Sequence, residues 1–177
     1  KTRAFAEIVA RGALPARPGV VRIARELHER GVQLAIASTS AEGSVRAVLE
    51  SVAGEEFARE FRVFAGDIVP HKKPAPDIYR LALERLGVGA EAALVIEDSR
   101  NGLLSASRAG LATLVTVTGF TRNEPMEEAA LVLSSLGDPG GPPVEVIANR
   151  TAAEIGPYAT SETLEACLAF RAAQSSI

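Results

Sequence analysis

The sequence predicts an α/β protein with a parallel sheet covered by helices on both faces, and two observations carry that prediction. Short apolar runs such as Leu34-Ala35-Ile36-Ala37, Leu94-Val95-Ile96 and Leu111-Ala112-Thr113-Leu114-Val115 lack the alternation of a half-wet strand and read as strands buried on both sides. Between them lie segments with apolar residues three and four apart, several closed by glycine, which is how helices read and end. Strand–helix alternation of this kind gives a sheet whose ligands bind beyond the carboxyl ends of the strands.

Taken in order, Phe5, Ile8 and Val9 give residues 1–11 the one-sided spacing of a helix, and Gly12 stops it. Residues 13–18 read as a hinge, because Pro15 and Pro18 stiffen the backbone there. The alternation then runs as helix 19–30 closed by Gly31, strand 33–38, helix 42–52 and a short strand near 62–65. It continues with helix 76–86 closed by Gly87, strand 93–97, helix 100–109 closed by Gly110, and strand 112–117. Leu131-Val132-Leu133 reads as an edge strand, and the loop from Gly137 to Pro143 as a boundary. The expected organisation is therefore a core over residues 19–140 and a carboxyl-terminal extension, 141–177, holding a short strand and a helix near 161–172.

Composition narrows the function classes. A length of 177 residues suits one core domain, and the net charge of −3, with arginines scattered along the chain, gives no electrostatic footprint for nucleic acid or an anionic membrane. Apolar runs are too short to span a bilayer. Cys167, the single cysteine, excludes an internal disulfide and a cysteine-built metal site. The expectation is a cytoplasmic monomer, or a plastid protein in a photosynthetic eukaryote, acting on a small molecule.

Three segments at strand ends carry the chemistry. Glu97-Asp98 follows Leu94-Val95-Ile96, with Ser99 placed to cap the next helix; adjacent acids there can supply one direct ligand and one supporting group to Mg2+. The plainer reading is a helix start decorated with acids that favour its dipole. Lys73 precedes Pro74-Ala75-Pro76, which hold the backbone extended before a helix, so its ammonium can point back over the sheet edge and offset phosphate charge. Such a lysine should be removable with large loss of turnover and little loss of stability; the plainer reading of Lys72-Lys73 is a solvated loop. Ser38 ends an apolar strand, and its hydroxyl with the following turn can bind a phosphate oxygen, while Thr39 or Ser40 read more plainly as helix caps. His71 beside the lysines reads as a surface position, and Gly102 as a close approach of helix to sheet.

The order and spacing of these segments resemble the haloacid dehalogenase-like superfamily. The run Lys72-Lys73-Pro74-Ala75-Pro76-Asp77-Ile78-Tyr79 with Glu97-Asp98-Ser99-Arg100-Asn101-Gly102 is similar to its branch containing β-phosphoglucomutase, phosphoglycolate phosphatase and CbbY-like proteins. Arg17-Pro18-Gly19-Val20, Phe64-Ala65-Gly66-Asp67 and Gly137-Asp138-Pro139 resemble the CbbY-like members, over roughly residues 1–140. The resemblance implies a Mg2+-dependent sugar-phosphate phosphatase, with xylulose-1,5-bisphosphate as the type of substrate. It assigns Ser38 and Lys73 to catalysis, Ser38, Thr39 and Lys73 to substrate binding, and Asp98 to the metal with Glu97 in support. It also makes residues 1–12 the end of a helical cap.

In that family an aspartate attacks phosphorus to give an aspartyl-phosphate, and a second aspartate two residues later moves the proton. The aspartates of this sequence are Asp67, Asp77, Asp98 and Asp138, and no two are so spaced. The implied nucleophile strand belongs upstream of Lys1, between the strands ending at Ser38 and Glu97. Without it the resemblance predicts an inactive chain with an apolar slot and unpaired strand edges. A phosphomutase, a non-catalytic binding module and, least favoured by the Glu97-Asp98 pair, a dehalogenase stand as the other readings.

Overall fold

The computed structural model describes residues 15–174. The expected cap remnant at 1–12 and positions 13 and 14 of the hinge lie outside the described residues. Residues 15–17 have no regular structure, and Arg17 ties them down: its guanidinium donates to the carbonyls of Thr116, Val117 and Ser134 at 2.7–3.0 Å and to Thr116 Oγ1 at 3.1 Å. The chain is thus fastened where two interior strands end.

Helix α1 (Val20–Glu29) starts from Gly19, whose φ of 83° lies in the left-handed region that favours glycine. A Cβ at this position would sit 2.4 Å from the Gly137 carbonyl oxygen. The Gly19 N–H donates to Asp138 Oδ2 at 3.0 Å, and Arg22 donates to the carbonyls of Gly137 and Ala159. Gly137-Asp138-Pro139, whose local pattern reads as a loop, therefore receives the start of α1. Strand β1 (Leu34–Ser38), helix α2 (Glu42–Ala53), the short helix α3 (Glu55–Ala58) and strand β2 (Phe61–Ala65) follow, with β1 and β2 parallel and Ser38 opposite Ala65. The sequence reading did not separate α3, because its four residues are too few to show a period.

Helix α4 (Asp77–Leu86), a 3-10 turn at Ala90–Ala92, strand β3 (Leu94–Glu97), helix α5 (Arg100–Arg108) and strand β4 (Ala112–Thr116) continue the alternation as expected. Strand β5 (Leu131–Leu133) pairs parallel with β4 and antiparallel with β6 (Val146–Asn149); helix α6 (Ser161–Gln174) completes the described chain. The expectation of an edge strand at 131–133 is corrected: all three residues are at most 1% exposed, and the edge is β6, with Val146 and Ile147 open to solvent. The covering strand arrives only after the Gly/Pro loop, so local pattern did not reveal it.

The pleat of β4 distributes the core to two faces. Leu114 points to the cluster of Ile23 from α1 and Leu164 and Cys167 from α6; Val115 points the opposite way, to Leu103 of α5. Helices on both faces thus match the sequence prediction, and residues beyond 141 help form this core instead of trailing from it. Burial pushes the Cys167 thiol pKa up to about 12. No described helix is long and apolar enough to cross a membrane.

The strands do not form one sheet. Strands β1 and β2 form one parallel pair, β3 to β6 form a second sheet, and β1 and β3 share no ladder. Every residue of β4 is buried, yet Ala35 and Ile96, in mid-strand, are exposed. A slot of about 250 Å³ separates the two edges, lined by Ala35 and Ala37 of β1, Leu94 and Ile96 of β3, and Leu83 and Leu86 of α4. The edges of β1 and β3 that face it pair with no other strand among the described residues.

Gly19→Ala is expected to lower stability by about 1–3 kcal/mol, since the new methyl meets main chain at a φ disfavoured for L residues. Chemical denaturation measures it, and an unchanged midpoint would contradict the tight seat described here.

Candidate active site

Lys73 brings the sequence-predicted site together. Its Nζ donates to the Ala37 carbonyl at 3.0 Å, to the Tyr79 hydroxyl at 3.0 Å and to Glu97 Oε1 at 2.5 Å. The lysine therefore bridges the carboxyl end of β1 to that of β3 across the mouth of the slot. The Lys73 and Glu97 side chains are only 14% and 9% exposed, so the solvated-loop reading does not describe Lys73. It does describe Lys72, which pairs with Asp67 in solvent. His71 lies outside this group, its ring bonded to Asp77 Oδ2 at 2.9 Å; that contact lowers the Asp77 pKa.

Both oxygens of Glu97 are engaged. Oε1 accepts from Lys73 and, at 2.6 Å, from the Tyr79 hydroxyl; Oε2 accepts from the Asp98 N–H at 3.2 Å and the Ser99 hydroxyl at 3.3 Å. Burial alone would raise its pKa, but the Lys73 charge and these hydrogen bonds outweigh burial and hold it below the usual carboxylate range. Tyr79 is pushed the other way, by burial first and the neighbouring carboxylate second, so its hydroxyl stays a donor. Ser99 also accepts from the Gly102 N–H at 3.1 Å, forming the expected N-cap of α5.

Gly102 has a more specific task than close packing. A Cβ there would fall within 2.1 Å of the Glu97 carboxylate, so only a glycine lets that side chain lie across the first turn of α5. Ser38 ends β1 with its hydroxyl accepting from the Ser40 N–H at 3.1 Å. The plainer reading of Thr39 or Ser40 as the cap of α2 is set aside: the N-cap is Ala41, with no side-chain cap bond. Thr39 and Ser40 stay exposed at the strand end.

Asp98 is exposed, and its carboxylate has no hydrogen bond or ion pair among the described residues. A free carboxylate at a strand end is a hard-oxygen donor of the kind that suits Mg2+, which keeps much of its water and takes one or two protein carboxylates plus phosphate. No group of three His, Cys, Asp or Glu side chains capable of holding a metal occurs among the described residues. Asp98 thus has the chemistry of one Mg2+ ligand, while the Glu97 carboxylate is taken up by Lys73, Tyr79, Ser99 and the Asp98 N–H. Tyr79 is the member that sequence reasoning missed; its position in the Lys72–Tyr79 run was visible, but not that the first turn of α4 would aim its hydroxyl at Glu97.

The ion pair also revises the expectation that Lys73 is dispensable for stability. Removing it strands a largely buried carboxylate, so Lys73→Met should cost about 3 kcal/mol near neutral pH. Because the folded pKa of Glu97 is depressed, its stabilising contribution is present above the unfolded carboxylate pKa and is lost as pH falls through the folded value. In Lys73→Met, burial is no longer offset by the lysine and the carboxylate takes up a proton at higher pH, so the stability gap to the parent should narrow as pH falls from neutral through the carboxylate range. Urea denaturation from pH 7 to 3 measures this, and a constant gap would contradict it.

Residues 1–110 match the haloacid dehalogenase-like hydrolase family, described as a hydrolase. The CbbY protein of Cupriavidus necator is 45% identical over 143 residues, covering 80% of this chain and 56% of that one. The CBBY-like protein of Arabidopsis thaliana is 42% identical over 139 residues, covering 78% and 44%. A solved structure of a CbbY variant from Rhodobacter sphaeroides, in complex with xylulose-1,5-bisphosphate, is similar with a TM-score of 0.72 and 40% identity, covering 76% of this chain and 60% of that one. The chain spans about half the length of the curated relatives it matches. On the family match, these identities and the shared fold, the chain belongs to the haloacid dehalogenase-like hydrolases.

Proposed function

We propose that this protein, expressed from its whole reading frame, is a Mg2+-dependent phosphatase of small sugar phosphates. The observation that carries this reading is the convergence of Ser38, Lys73, Glu97 and Asp98 on the carboxyl edge, on both sides of one open slot. In this reading the slot takes a strand running parallel between β1 and β3. Its carboxyl end would carry the Asp-x-Asp arrangement that these 177 residues lack. A carboxylate emerging there would meet the Lys73 ammonium at the same edge.

The roles follow from position. The Ser38 hydroxyl and the N–H groups of the turn after it, with Thr39, offer hydrogen bonds to the oxygens of a phosphoryl group. Lys73 holds positive charge where phosphorus is attacked, fixed in advance by its contacts to Ala37 and Glu97, so little reorganisation accompanies reaction. An aspartate of the inserted strand would attack phosphorus as its alkoxide leaving group takes a proton from the second aspartate; water then frees phosphate. Asp98 would ligate Mg2+, with Glu97 in support, and the cation would neutralise charge on the phosphoryl oxygens.

A pentulose bisphosphate is the substrate class this reading favours, from the ligand in the Rhodobacter sphaeroides CbbY structure. The test is release of inorganic phosphate from a panel of sugar phosphates, with and without Mg2+, by protein made from the whole reading frame. Mg2+-dependent release is expected, with xylulose-1,5-bisphosphate among the better substrates. Asp98→Asn should reduce turnover by about a hundredfold or more and weaken the Mg2+ requirement with it. Turnover unaffected by Asp98→Asn would contradict the assigned metal ligand; phosphoryl return to a sugar without net release would indicate a mutase.

A further inference from the structure

Tyr79 has no part in the reading above, yet it occupies the centre of the Lys73–Glu97 contact. A lysine ammonium has three hydrogens, and three acceptors lie within 3.0 Å of Nζ: Ala37 O, Glu97 Oε1 and the Tyr79 oxygen. Every Lys73 hydrogen is therefore committed in this structure. The Tyr79 hydroxyl has one hydrogen, and Glu97 Oε1 at 2.6 Å takes it, so the oxygen can only accept from Lys73. Direction along the chain Lys73 to Tyr79 to Glu97 is fixed.

The three acceptors are not equal. Glu97 Oε1 is an anion and gives the strongest hold on the ammonium, whereas Ala37 O is neutral, as is the Tyr79 oxygen, both at 3.0 Å. Its ring cannot swing away, being 6% exposed and packed with Phe64, Ile78, Ala82 and Ala106, with Lys73 Nζ 4.6 Å from the ring centroid. We propose that Tyr79 is a positioning residue. Its hydroxyl, as the third acceptor, sets the place of the Lys73 ammonium and keeps it there while an anionic ligand at the carboxyl edge reacts. The role in turnover rests on the phosphate-ester reading; the resting geometry does not.

Tyr79→Phe tests this, because it keeps the packed ring and removes only the hydroxyl. The first measurement, on protein from the whole reading frame, is hydrogen exchange of the lysine ammonium groups by NMR. The sequence given holds only Lys1, Lys72 and Lys73, so substitution to arginine assigns their signals within it. The Lys73 ammonium should exchange about tenfold faster in Tyr79→Phe, as one of its three partners is gone. The second measurement is steady-state phosphate release, where kcat should fall about tenfold with KM within about twofold, the mark of an interaction used in the transition state. A variant altered only in melting temperature, with exchange and kcat unchanged, would make Tyr79 a packing residue and overturn the proposal. So would faster exchange with unchanged kcat. Should the parent hydrolyse no phosphate ester, the phosphatase reading fails on its own, and unchanged exchange would still overturn the positioning role.

Discussion

An ammonium with three hydrogens, placed between the carboxyl ends of two separate sheets, is the constraint on which the rest of this structure turns. Lys73 reaches the next-to-last residue of β1 through Ala37 and the last residue of β3 through Glu97. No ladder joins those strands, so side-chain contacts, Lys73 among them, link the carboxyl edge instead of backbone pairing. Charge and position have the same source here: the contacts that keep a largely buried carboxylate ionised also fix a cation at the edge where ligands of such sheets bind. Gly102 and Tyr79 serve that arrangement, one by leaving room for the carboxylate and the other by sharing its oxygen.

Much of the fold was legible, because strands β1, β3 and β4 carry uninterrupted apolar runs and glycine closes α1 and α4. What local pattern could not show was partnership at a distance. Leu131–Leu133 is a short apolar run whether it lies at an edge or inside, and only the return of Val146–Asn149 decides it. The tail beyond Pro143 likewise gave no sign that Leu164 and Cys167 would complete the core under Leu114. The 3.6-residue period identifies a face, but not what covers it.

The site divides in the same way. Ser38, Lys73, Glu97 and Asp98 were singled out from residue type and position near strand ends, and the resemblance gave each of them a role. The tie between Lys73 and Glu97 was not legible, since 24 residues and a helix separate them, and it changes what removal of the lysine does to stability. The Gly102 role was half legible: close approach was expected, but its object, the Glu97 carboxylate, appears only when α5 is docked on β3.

Lys73 is proposed to make this carboxyl edge an anion site while holding Glu97. Calorimetric titration of inorganic phosphate into protein made from the whole reading frame, with and without Mg2+, in the parent and in folded Lys73→Met, tests this. Saturable binding that Mg2+ strengthens and that Lys73→Met loses is expected. Phosphate binding indifferent to both the lysine and the metal would contradict it.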